Sequence, residues 1–176
     1  MANSSLSLVN QKLAYARALI KQASPLSDST TTSERLQLRA LLDASVFHLM
    51  CGIQHYLREI AENYRVKNVG TIEDTAGLLA ALAAIDKEPS EATELSFLLQ
   101  DSSSWLSQMQ NYYARLGSFV EVEVKTQVKG VDENLIAVRE IPAADMAQEP
   151  DWNMVNEWEG AFTQLIARQR ETSAEY

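Results

Sequence analysis

Hydrophobic residues recur at alternating steps of three and four along most of this chain, a spacing that predicts amphipathic α-helices. The longest such run predicts one helix over residues 34–65, which would extend roughly 45–50 Å and form the centre of the molecule. We expect Leu42, Leu49 and Ile53 on its main face to be fully buried. That face consists of Leu38, Leu42, Leu49, Ile53, Tyr56 and Ile60. Other helices are predicted over residues 6–20 and 72–86, from Ser90, from Asp101 or one of Ser102–Ser104 to Gly117, and over 151–173.

The spacing changes to two residues between positions 119 and 128, where valines alternate with charged side chains. This alternation, followed by a polar turn and the run "LIAVREI", predicts a β-hairpin at about 119–141. The sequence therefore predicts a mainly α fold in a single domain over 1–176, a helical bundle of five to six helices with a small β-hairpin insertion before the last helix. The hairpin could pack on its own bundle or pair with a second copy in a homodimer.

Charge narrows the classes of partner. The chain has a formal net charge of −9, and residues 68–176 hold nineteen Asp and Glu against seven Lys and Arg. No basic stripe with interleaved aromatic residues interrupts this surplus, which disfavours nucleic acid and anionic membranes as partners. The first residues lack a basic region followed by an apolar run, and the apolar stretch at 77–85 is about half as long as a membrane span. We expect a cytoplasmic protein.

The run "FHLMCGIQHYLREIAENYR" (47–65) contains both histidines and the single cysteine. On a helix, His48, Cys51, His55, Glu59 and Glu62 would share one face, roughly 120° from the main apolar stripe. The favoured interpretation is a second packing face that emerges into water. The charged residues Arg58, Glu59, Glu62 and Arg65 are expected to pair along the helix surface.

A metal or catalytic site is the alternative interpretation of this face, with His48, Cys51, His55 and Glu59 as candidate ligands. His48 and His55 would lie about 10 Å apart along the helix axis, too far to share one ion. Cys51 and His55 could share one, but the chain offers no other His or Cys, and it lacks the Glu-x-x-His pairs of di-iron bundles. A Cys51 nucleophile beside a histidine would need a third residue to orient the base, and none is evident. We therefore predict no cofactor and no catalytic residue.

Four segments, "NQKLAYARALI", "ASVFHLMCGIQHYLREIAENYR", "DSSSWLSQMQNYYARL" and "EWEGAFTQLIARQRETSAEY", together resemble an uncharacterised gammaproteobacterial family of small helical proteins. This resemblance covers most of the chain and supplies no site residues. The paired helices are more remotely similar to HEPN-type domains, whose ribonuclease members carry an Arg followed at short spacing by a His. Here eight residues separate Arg39 from His48, which argues against nuclease activity.

Two functions remain open from the sequence. The favoured one is a non-catalytic protein-interaction module whose acidic half or hairpin meets another protein. The alternative is a metal-binding or hydrolytic enzyme that uses the face of His48, Cys51 and His55. Stoichiometric zinc, iron or manganese in the purified protein would favour the enzyme.

Overall fold

The computed structural model describes residues 4–117 and 149–173. Within these residues the chain forms six α-helices and two short 3-10 helices, and no strand. The prediction of a mainly helical bundle is confirmed, whereas the hairpin predicted at about 119–141 lies outside the described residues and has no support from the structure. The α-helices are α1 (Ser5–Ala23), α2 (Thr32–Asn63), α3 (Thr75–Ala83), α4 (Ser90–Gln100), α5 (Trp105–Leu116) and α6 (Trp152–Ser173), and the 3-10 helices are Ser24–Leu26 and Val69–Thr71.

Helices α1, α2, α5 and α6 form a four-helix bundle with α2 at its centre, and α3 and α4 pack beside the second half of α2. α1 runs antiparallel to α2, α6 runs parallel to α2, and α5 runs antiparallel to α6. The contacts that fix these directions are Ser5–Glu62 and Tyr15–His48 for α1, Gly52–Phe162 and Glu59–Arg170 for α6, and Trp105–Phe162 and Tyr112–Trp158 for α5.

The core follows the predicted apolar stripes closely. The side chains predicted to be buried on α2 have little solvent exposure: 2 % for Leu42, 0 % for Leu49 and 6 % for Ile53. The apolar stripe of the last helix is also buried: Val155, Trp158, Phe162, Leu165 and Ile166. Leu38, at the outer end of the α2 stripe, is only half-buried, and Leu6 at the start of α1 is exposed. Burial predicted from the apolar stripes is therefore wrong only near helix ends, where fewer helices surround the side chains.

Helix α2 begins and ends slightly earlier than the sequence suggests. Thr31 is the N-cap: its hydroxyl accepts from the Glu34 amide at 3.3 Å and donates to the Glu34 carboxylate at 2.5 Å. At the other end Arg65 adopts a φ of 58°, and the Val66 amide donates a hydrogen bond to the Ala61 carbonyl at 2.9 Å. This left-handed turn stops the helix before Arg65.

α2 is also the one described helix that is long and apolar enough, by length and composition, to cross a membrane. Its most apolar window of 18 residues has a mean hydropathy of 1.3. The central helix of a bundle passes the same test, and α2 contacts each of the other five helices. Its hydropathy therefore does not decide where the protein resides.

Candidate functional site

The face of α2 that carries His48, Cys51 and His55 packs against α1. The His48 ring meets the Tyr15 ring edge-on, with 5.3 Å between centroids. One turn further, Lys12 passes beside Gly52, where a Cβ on the glycine would lie 3.6 Å from the Lys12 Cβ. The interpretation of this face as a second packing face agrees with these contacts.

The titratable side chains of this face have shifted pKa values. Burial lowers the pKa of His48 below its ordinary value, and the Lys12 ammonium lowers it further. The pKa of His55 is lowered by burial first, then by Arg58 and Lys12. Burial raises the pKa of the Cys51 thiol, and the Lys12 charge offsets only part of that rise. Both imidazoles are therefore largely neutral at pH 7, and the thiol is largely protonated rather than an activated thiolate.

The structure does not bring the candidate metal ligands together. Among the described residues, no group of three His, Cys, Asp or Glu side chains is placed to hold one ion. Glu59 instead accepts two hydrogen bonds of 2.7 Å from the Arg170 guanidinium on α6. Glu59 is 4 % exposed, so its expected pairing along the helix surface is wrong. Glu62 accepts from the Ser5 hydroxyl at 2.7 Å.

Polar side chains form a network that joins α2, α4 and α6. The Tyr56 hydroxyl donates to Gln169 at 2.7 Å, and the Gln169 amide donates to Glu94 at 2.7 Å. Glu94 also accepts from Arg168, and burial raises the pKa of Tyr56. Tyr56 and Gln169 are almost fully buried and already engaged, so this network positions helices rather than offering free groups to a ligand.

Four rings form a continuous row across the surfaces of α1, α2 and α5. We call Tyr15, His48, Phe47 and Tyr113 the aromatic row. Its successive centroids are 5.3, 5.5 and 6.4 Å apart. Tyr15 and Phe47 are 45 % and 46 % exposed, whereas most large apolar side chains of the described helices lie in the core. Rings held on three packed helices present a rigid apolar surface to solvent.

A cleft begins where the aromatic row ends, at Tyr113. It lies between α2 and α5, with the start of α3 at one side, and has a volume of about 430 Å³. We call it the α2–α5 cleft. Its floor is apolar and its rim carries two carboxylates, two side-chain amides and one phenol. Its lining includes Ile53, Gln54, Leu57, Glu73, Asp74, Leu106, Gln110 and Tyr113.

Comparison with protein families matches residues 1–176 to a family of unknown function, DUF6586. The chain belongs to the DUF6586 family. This match confirms the resemblance to an uncharacterised family, while the bacterial group and the likeness to HEPN domains stay predictions. No curated protein and no solved structure matches the chain.

For this DUF6586 member, sequence reasoning singled out His48 but missed the surface to which it belongs. The other rings of the row come from separate segments, and no single periodic pattern connects them. One signal was present: Phe47 lies off the main apolar stripe of α2, which indicates an exposed aromatic residue. The cleft had no comparable signal, because its rim combines side chains of α2, α5 and the turn before α3.

Proposed function

We propose that this chain is a non-catalytic, cytoplasmic protein-interaction module that binds a partner protein through the aromatic row and the α2–α5 cleft. The observation that carries the proposal is the continuity of these two features. Exposed aromatic residues beside a concave site are typical of the anchoring centre of protein interfaces. Such residues cost solubility when they are left open to water, so their exposure favours a surface that is covered by a partner.

Chemistry at this surface supports binding rather than catalysis. His48, the one imidazole in the row, is held by two rings, and its Nδ1 has no hydrogen-bond partner among the described residues that would orient it as a base. The Cys51 thiol at the cleft wall has a raised pKa, which weakens it as a nucleophile. The net charge of −9 continues to disfavour nucleic acid and anionic membranes as partners.

Site-specific photo-crosslinking in the native host tests the proposal. A benzophenone amino acid is placed at Phe47, and a matched control is placed at Phe97, which is 65 % exposed but lies on α4 outside the row. We expect a discrete protein adduct at position 47 and none at position 97. An adduct with twice the mass of the chain would identify the partner as a second copy, bound through a different surface from the hairpin edge considered in the sequence analysis.

Binding of the purified partner then gives the quantitative test. Phe47→Ala should weaken the affinity by about tenfold or more, as expected for an aromatic anchor, and Phe97→Ala should leave it unchanged. Both side chains are exposed, so both variants should keep the wild-type melting temperature within a few degrees. Equal adducts at the two positions, or equal affinities of the two variants, would contradict the proposal.

A further inference from the structure

The amide and phenol side chains on the rim of the α2–α5 cleft have no hydrogen-bond partner among the described residues. The side chains of Gln54, Gln110 and Tyr113 line the cleft, and none of them forms a hydrogen bond to another described residue. Elsewhere the hydroxyls of Tyr56, Tyr64 and Tyr112 all bond to a side chain. Since polar groups that adjoin an apolar floor are the usual means of orienting a ligand, the rim is suited to recognition.

The charge of the rim determines which sign of charge the ligand should carry. Glu73 and Asp74 are the charged residues among the lining side chains, and no Lys, Arg or His lies beside them in the lining. Neither carboxylate forms an ion pair within the described chain. Asp74 uses one oxygen to accept from the Gly77 amide at 2.7 Å as the N-cap of α3, which leaves its second oxygen for another donor. The cleft therefore favours a cation.

Tyr112, which precedes Tyr113 on α5, shows how this chain binds a guanidinium. Arg39 lies over the Tyr112 ring, 5.1 Å from its centroid, and its Nε is 3.0 Å from the Asp43 carboxylate. A second guanidinium, from Arg115, lies 5.6 Å from the same ring. The lining of the cleft likewise includes a tyrosine ring, Tyr113, and two carboxylates, and it contains no arginine of this chain.

We infer that the α2–α5 cleft binds an arginine side chain, flanked by apolar residues, from a segment of the partner protein. The arginine stem covers the apolar floor of Ile53, Leu57 and Leu106, and the guanidinium reaches the carboxylates of Glu73 and Asp74. Arginine suits the site better than lysine because its planar guanidinium bonds a carboxylate with two donors. This inference rests on the proposed function. It adds the chemistry of the partner segment that the cleft would recognise.

Three capped pentapeptides with the sequences Ala-Leu-Arg-Leu-Ala, Ala-Leu-Gln-Leu-Ala and Ala-Leu-Glu-Leu-Ala are the probes. Each is titrated into the full-length, isotope-labelled protein, and the side-chain amide signals of Gln54 and Gln110 are followed by NMR. We expect the arginine peptide to shift both signals and to bind about tenfold more tightly than the glutamine peptide, and the glutamate peptide to bind most weakly. Equal binding of the arginine and glutamate peptides would overturn the inference.

A charge-matched pair of variants localises the effect. Glu73→Gln combined with Asp74→Asn removes the rim charge, while the asparagine retains an oxygen that can cap α3. The control, Glu88→Gln combined with Asp101→Asn, removes two carboxylates from the open groove along α4. Only the first variant should abolish the preference for arginine over glutamine. A preference that survives the first variant, or that disappears in both, would also overturn the inference.

These measurements separate the inference from the proposed function. If Phe47 crosslinks to a partner but the peptides show no preference for arginine, the inference fails and the interaction module stands. If the arginine preference maps to Glu73 and Asp74 but position 47 captures no protein, the proposed function fails and the cleft is a site for free guanidinium compounds.

Discussion

At the scale of single residues, Gly52 sets how closely three helices can pack. A Cβ built there would lie 3.0 Å from the Phe162 Cε1, so the fully buried Phe162 ring would have to shift to admit it. We predict that Gly52→Ala destabilises the fold by about 1–2 kcal/mol despite the higher helix propensity of alanine. Urea unfolding followed by circular dichroism measures the change.

Gly160 provides the matched control, because it also lies within a helix and a Cβ there would meet no heavy atom within 4 Å. Gly160→Ala should stabilise the protein by about 0.5–1 kcal/mol. If the two alanine variants changed the free energy of unfolding in the same direction, the close approach at Gly52 would be wrong.

Leu49 tests the position of the core. Its side chain is fully buried at the middle of α2, so Leu49→Ala should cost about 2–5 kcal/mol by removing buried methyl groups and leaving a cavity. Leu36, on the same helix, is 72 % exposed, and Leu36→Ala should change stability by less than about 0.5 kcal/mol. A loss below about 1 kcal/mol at Leu49 would show that the core lies elsewhere.

At the scale of the elements, the Glu59–Arg170 pair joins α2 to α6. The Glu59 side chain is 5 % exposed and that of Arg170 is 28 % exposed, so Arg170→Ala would leave a buried carboxylate without its cation. We predict a loss of about 3–5 kcal/mol in thermal or urea unfolding. Arg168→Ala is the control, because the Arg168 and Glu94 side chains are 63 % and 37 % exposed, and it should cost less than about 1 kcal/mol. Equal losses would argue against a special role for the buried pair.

The helices could be predicted because each contains its own signal, whereas contacts between helices could not. Apolar spacing placed Leu49 and Ile53 in the core, and Gly117 was correctly expected to end α5. Glu59 was misjudged because Glu62 and Arg65 stand close to it in sequence, while its real partner, Arg170, is 111 positions away. A buried carboxylate has no local pattern, since only the fold brings its cation to it.

The candidate site was predictable to a still smaller extent. His48 was recognised as notable for the wrong reason, its closeness to Cys51 and His55 along one helix face. Its actual neighbours are rings, Tyr15 from α1 on one side and Phe47 on the other. Spacing along one helix says nothing about the helix that packs beside it, so the row became evident only in the assembled bundle.

At the scale of the whole molecule, we predict that stability falls as the pH decreases below about 6.5. The folded state lowers the pKa of both His48 and His55 through burial and nearby Lys12, so the unfolded chain binds more protons in this range. Stability from these residues is therefore complete above the ordinary histidine pKa and is lost as the pH falls through the lowered values. Melting temperatures at constant ionic strength between pH 8 and pH 5 measure this loss.

The double variant His48→Gln, His55→Gln separates the histidines from the carboxylates, which titrate at lower pH. Its melting temperature should fall less steeply than that of the wild type between pH 7 and pH 5, whatever its value at pH 8. Parallel curves for the two proteins would show that the imidazoles do not carry the acid sensitivity.

The position of α6 in the sequence has a consequence for synthesis on the ribosome. α1 and α2 are joined by a short connection and can pair early, because local contacts form before distant ones. α6 bonds α1 across 142 positions, from Arg17 to Glu159, so it emerges long after its binding groove exists. During that interval the apolar surface around Gly52 and Tyr56 faces water in the nascent chain. We expect this open groove to be the surface that a chaperone holds until α6 arrives and closes it.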